Sequence, residues 1–124
     1  MLYLITFLGA GLGGALRHGV NVGAARLLGY GFPFGTLIVN ISGSLAMGLL
    51  AGYFGYRTGL NQHLRLFLTT GILGGFTTFS AFSFDLFAMI ERGQPAIALV
   101  YAVVSVVGAL LLFTLGWGAA RMAA

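Results

Sequence analysis

The sequence predicts an all-α membrane protein with four spanning helices, and three observations carry that expectation. Hydrophobic residues make up 59% of the chain and charged residues only 6%, with a mean hydropathy of +1.01; a soluble domain carries about 25% charged residues. Charged side chains are absent from 27–56, 66–84 and 93–120, and a bilayer crossing needs roughly 20 apolar residues. The connections between these stretches are short and rich in turn formers.

The first span is placed near 3–28. It opens on LYLITFLGAGLGGAL and stops before Gly29, Gly31 and Pro33. No cationic region precedes its apolar run and no cleavage site is convincing, so the helix is expected to stay in the mature protein. The second span lies near 35–56 and gives way to Arg57, Gly59 and Asn61. The third, near 64–90, contains GGFTTFSAFSFD at 74–85; Gly71, Gly74 and Gly75 precede Thr77 and Thr78 there, and a break in the helix is expected at the glycines. The fourth lies near 95–120, after Gly93 and Pro95. Residues 1–124 then form one transmembrane domain, with no room for a soluble domain or a long linker.

Four spans place both termini on one side, with Arg57, Arg65 and Arg121. The other side holds Arg26 and Arg92, with Arg17 nearer that end of the first helix. Orientation follows the Lys/Arg bias of short loops, and here the bias is close to nil. Either the charges are too few to decide, or the chain inserts both ways and pairs with an inverted copy of itself. Small residues four apart, as in Gly9/Gly13, Gly19/Gly23 and Ser44/Gly48/Gly52, allow close helix packing within a subunit or between two.

Whole classes of function drop out. The net charge of +4 comes from single, scattered arginines with no lysine, so nucleic-acid binding has no support. There is no cysteine, hence no disulfide or thiolate site. No His–carboxylate cluster, activated nucleophile or phosphate loop suggests an enzyme. The carboxylates Asp85 and Glu91 both fall toward the end of the third span, so no mid-membrane acid offers proton coupling.

The polar residues inside the spans are few. Asn40, in GTLIVNISGS, needs partners for two donors and a carbonyl; it either binds a neighbouring helix or faces a path and replaces water around an anion. Arg17, in GALRHG, either snorkels to the interface or raises the local anion concentration. His18 reads as interfacial and His63 as a loop residue. Phe79 and Phe82 share a helix face, Phe76 extends their row, and Phe84 and Phe87 lie elsewhere. Ring edges carry partial positive charge, and Ser80 and Ser83 add hydroxyls beside the row. Tyr101 and Ser105 stand one turn apart on the fourth span, followed by apolar Ala109.

GAGLGGALR at 9–17, GTLIVNISGS at 35–44 and GILGGFTTFSAFS at 71–83 together resemble the CrcB/Fluc family of fluoride channels over essentially the whole chain. The resemblance implies an antiparallel, dual-topology homodimer with two fluoride pathways along the subunit interface, in a bacterial inner membrane. It implies backbone carbonyls of Gly74 and Thr77 from both subunits around a structural Na⁺ that is not transported. It also implies Phe79, Phe82, Asn40, Tyr101 and Ser105 along the pathway and Arg17 in a vestibule, and Ser80, flanking the phenylalanine row, is expected on the same pathway. Two positions depart from the pattern: Ala109 stands where some members have serine, and Asp85 where others have glutamate near the pore mouth. The expected activity is passive export of cytoplasmic fluoride, with lipid, the ion and a second copy as the partners. The main rival is a small dual-topology, proton-coupled exporter of the multidrug type, which needs a carboxylate in the first helix. The first span has none. An assembly subunit without transport activity is the other alternative.

Overall fold

The computed structural model describes residues 1–55 and 61–123, so the expectations for Arg57 and Gly59 lie outside the described residues. Helices run over Leu2–Leu28 (α1), Phe34–Gly55 (α2), Gln62–Leu66 (α3), Gly74–Phe76 (α4), Phe79–Glu91 (α5) and Pro95–Ala123 (α6). A π-helical segment, Phe67–Leu73, joins α3 to α4. No strand occurs among the described residues. Three stretches are long and apolar enough to cross a membrane: Phe34–Gly55, Gln62–Glu91 and Pro95–Ala123. The chain is an integral membrane protein. α1 has the length but is outside that set, because Arg17 and His18 lower its hydropathy.

The turns follow from local chemistry. At Gly29 (φ 85°) the backbone enters the left-handed region, and its N–H still reaches the Ala25 carbonyl. At the end of α5, Gly93 (φ 75°) donates to Ile90 and Gln94 donates to Met89. That pair of bonds closes the last helical carbonyls and requires a residue without a Cβ penalty. Pro95 then opens α6, where its missing N–H costs nothing. Asn61 caps α3 by accepting from the His63 N–H at 2.8 Å.

Glycines set the packing. α1 lies against the π-helical segment and α4, and α2 lies along α6. A Cβ on Gly13 would overlap the Ile72 carbonyl, and one on Gly75 the Ala10 carbonyl. A Cβ on Gly48 would overlap Phe113 backbone, and one on Gly116 would sit 2.5 Å from the Leu45 carbonyl. Backbones this close gain dispersion contacts where lipid supplies no hydrophobic drive. Gly9/Gly13 and Gly48/Gly52 therefore pack within the subunit, whereas Gly19 and Gly23 meet nothing within 4 Å.

The third stretch departs from simple expectation in one respect. Gly74 is itself helical (φ −61°, ψ −39°), and the residues with extended angles are Thr77 (φ −86°, ψ 157°) and Thr78 (φ −151°, ψ 120°). Close approach to α1, not unusual backbone angles, requires glycine at position 75. The interruption also ends the expected phenylalanine row. Phe76 belongs to α4 and lies by Gly43, while Phe79 and Phe82 belong to α5. The tightest apolar cluster is Phe82, Met89, Ala98 and Tyr101, with Phe32, Leu37, Leu86 and Ala102 against it.

Candidate functional site

Thr78 is where the candidate site is built. Its extended backbone has left the helical hydrogen-bond ladder, and Asn40 of α2 takes both of its backbone groups. The Thr78 N–H donates to Asn40 Oδ1 at 2.8 Å, and Asn40 Nδ2 donates to the Thr78 carbonyl at 2.9 Å. The amide behaves like a neighbouring strand, and the pairing fixes which way it points. One Asn40 N–H remains after this exchange. Thr78 Oγ1 in turn accepts from the Ala81 N–H at 3.1 Å and caps α5. Thr77 Oγ1 donates to the Leu73 carbonyl at 3.0 Å.

A groove of about 340 Å³ opens beside this pair. Asn40, Thr77, Phe79, Phe82, Ser105 and Ala109 contribute to its walls. Phe79 is 78% exposed and Phe82 only 8%, with their ring centroids 5.7 Å apart. Phe82 is held from behind by Tyr101 at 5.2 Å, and Phe32 meets Tyr101 edge-on at 5.3 Å. Ser105 is 6% exposed, and its Oγ is buried without a hydrogen-bond partner among the described residues. A buried donor without a partner costs about 1–3 kcal/mol, and Ser105 belongs to the wall of the groove.

The other predicted residues sit around the groove. Tyr101 is fully buried, and its hydroxyl donates to Asp85 Oδ2 at 3.0 Å. It supports Phe82 and leads toward a second cavity of about 380 Å³, which has Asn21, Thr36, Asp85 and Arg92 in its walls. Ser80 is exposed beside Thr78, with its Oγ 3.3 Å from Thr78 Oγ1. Arg17 Nε donates to the Gly75 carbonyl at 3.1 Å, so it anchors α1 to the end of α4. Gly74 is exposed on the subunit surface, and Thr77 is partly buried. No group of three or more His, Cys, Asp or Glu is gathered among the described residues. A resident cation would therefore depend on neutral oxygens, and carbonyls such as those of Gly74 and Thr77 have the hardness that Na⁺ favours.

Sequence reading did not anticipate Thr78 as the partner of Asn40, nor Asn21 and Thr36 in the second cavity. Thr78 had a local signal, since a hydroxyl residue just before an apolar helical run is an N-cap signature.

Residues 4–117 match the family described as CrcB-like protein, Camphor Resistance (CrcB). The fluoride-specific ion channel FluC of Methylobacterium sp. (strain 4-46) is 68% identical over 103 residues, covering 83% of this chain and 82% of that protein. The protein of the same name from Rhodopseudomonas palustris (strain BisB5) is 55% identical over 106 residues, 86% of each chain. That from Hyphomonas neptunium (strain ATCC 15444) is 51% identical over 122 residues, covering 97% of this chain and 96% of its own. With a match that runs nearly end to end and carries the Asn40 and Phe79–Phe82 segments within it, the chain belongs to the CrcB family.

Proposed function

We propose that this chain is a fluoride-selective passive channel that lets cytoplasmic fluoride run down its electrochemical gradient. The observation that carries the reading is the buried hydroxyl of Ser105, without a partner among the described residues, in a groove shared with Asn40 and the Phe79–Phe82 pair. Fluoride is small and strongly hydrated, so a selective path must replace its water with closely spaced donors. The Ser105 hydroxyl, the remaining Asn40 N–H and the phenyl edges are such donors, and none carries a full charge. Conduction needs favourable binding that is still weak enough to release the ion. Neutral dipoles meet that condition better than a lysine would.

The channel is an antiparallel homodimer of one four-helix domain, with α1 as the fourth crossing and the stretch Gln62–Glu91 as one interrupted crossing. Phe79 and Gly74 support a partner copy, since both lie exposed on the isolated subunit, and the even spread of arginines supports insertion in both directions. Asn40, Phe79, Phe82, Ser80, Tyr101 and Ser105 serve the pathway, and Arg17 serves its vestibule. The Gly74 and Thr77 carbonyls of two copies would hold a structural Na⁺, which would supply a fixed positive charge among the helix ends. Asn40 holds the Thr78 backbone in place, and Arg17 holds that of Gly75.

Fluoride efflux from liposomes, with the membrane potential clamped, tests the reading against the proton-coupled exporter. Efflux is expected to proceed without a pH gradient and to keep its rate when one is imposed. Efflux that requires the gradient would favour the exporter, even though α1 has no carboxylate. Absence of efflux would favour a subunit with no transport activity.

A further inference from the structure

Two serines in the groove depart from what hydroxyls do elsewhere in these helices. Thr6, Ser42, Ser83 and Thr114 each donate to the carbonyl four residues back, at distances between 2.6 and 3.1 Å. Thr69 and Thr77 do the same. In lipid that bond disposes of a donor that has no water to turn to. Ser105 makes no such bond and is buried without a partner among the described residues. Ser44 makes none either, and it lines the same groove. Thr36, Thr70 and Ser80 also make no such bond, but none of them lines this groove.

The packing of α2 on α6 gives Ser44 its place. The two helices run side by side in the same direction: Gly108 meets Ile41, and further along Gly48 meets Phe113 and Gly52 meets Trp117. Asn40 and Ser44 stand one turn apart on α2, as Ser105 and Ala109 do on α6. The register sets the turn of Ser44 level with the turn of Ala109, and all four residues line the groove. One turn past Ser105, α6 offers only a methyl group. The hydroxyl at that level stands on the neighbouring helix, α2.

We propose that Ser44 is a fluoride ligand of the pathway, supplying from α2 the donor that Ala109 lacks on α6. The inference rests on the fluoride reading above. An anion leaving Asn40 and Ser105 then finds its next hydroxyl on the neighbouring helix, and the donors continue along α2 instead of along α6. Ser44 has no bond to its own helix to break before it turns to the ion.

Fluoride efflux from liposomes containing the wild-type chain, Ser44→Ala, and the double variant Ser44→Ala/Ala109→Ser tests this, with size-exclusion profiles to check that each variant is folded. Removing one hydrogen bond to a charged partner is expected to slow efflux about tenfold or more in Ser44→Ala. The double variant is expected to recover most of that loss, because it restores a hydroxyl at the same level from the neighbouring helix. A merely structural role for Ser44 would not be rescued from α6. Wild-type rates in Ser44→Ala, or a double variant as slow as the single one, would overturn the proposal. A wild-type chain that passes no fluoride removes the fluoride reading itself, and this inference with it.

Discussion

Asn40→Asp is expected to reduce fluoride efflux by about a hundredfold or more, the largest effect of any single substitution considered. Two consequences of one changed atom combine. The amide now donates to the Thr78 carbonyl at 2.9 Å and accepts from the Thr78 N–H at 2.8 Å. A carboxylate keeps the second bond but loses the first, and it sets an acceptor against an acceptor where the backbone has left the helix. Leaving the Thr78 carbonyl unsatisfied costs about 1–3 kcal/mol of stability. The same substitution puts a negative charge on the wall of the groove, where an approaching anion meets it with little screening water. Efflux and thermal unfolding measured together separate the two effects. Full efflux from Asn40→Asp would mean that the side chain only braces Thr78 and faces no ion.

Phe79→Ile and Phe82→Ile are expected to slow efflux at least about tenfold each, while the assembly persists. Isoleucine keeps apolar bulk but has no ring edge to present to an anion. The two positions should differ in stability. Phe79 is 78% exposed on the single chain, so its replacement should leave subunit folding nearly unchanged. Phe82 is 8% exposed and packs 5.2 Å from Tyr101; its loss should cost about 1–3 kcal/mol in unfolding measurements. If both variants conduct like the wild type, the rings are packing alone.

Much of the fold was legible because its signals are local. The charge-free stretches predicted spans near 35–56 and 95–120, and the helices observed are Phe34–Gly55 and Pro95–Ala123. Gly29 and Gly93 turn the chain where left-handed angles are needed. The π-helical segment Phe67–Leu73 had no such signal, because its wider winding depends on what packs beside it. Gly9 against Gly71 is one such contact. The jobs of single polar residues were equally hidden. Asn40 is 38 residues from Thr78, and Arg17 is 58 residues from Gly75. Sequence showed that Asn40 needed partners and left Arg17 between the interface and a vestibule; only the folded chain shows which backbone group each one meets. Tyr101 is the clearest case: its place one turn from Ser105 was legible, but its full burial and the bond of its hydroxyl to Asp85 were not.

Efflux of fluoride and of chloride, compared in liposomes containing only this polypeptide, tests most directly the claim that neutral donors in this groove stand in for the water around the smaller halide. The expected result is rapid loss of internal fluoride with chloride retained over the same period. Equal loss of both ions, or retention of both, would contradict it.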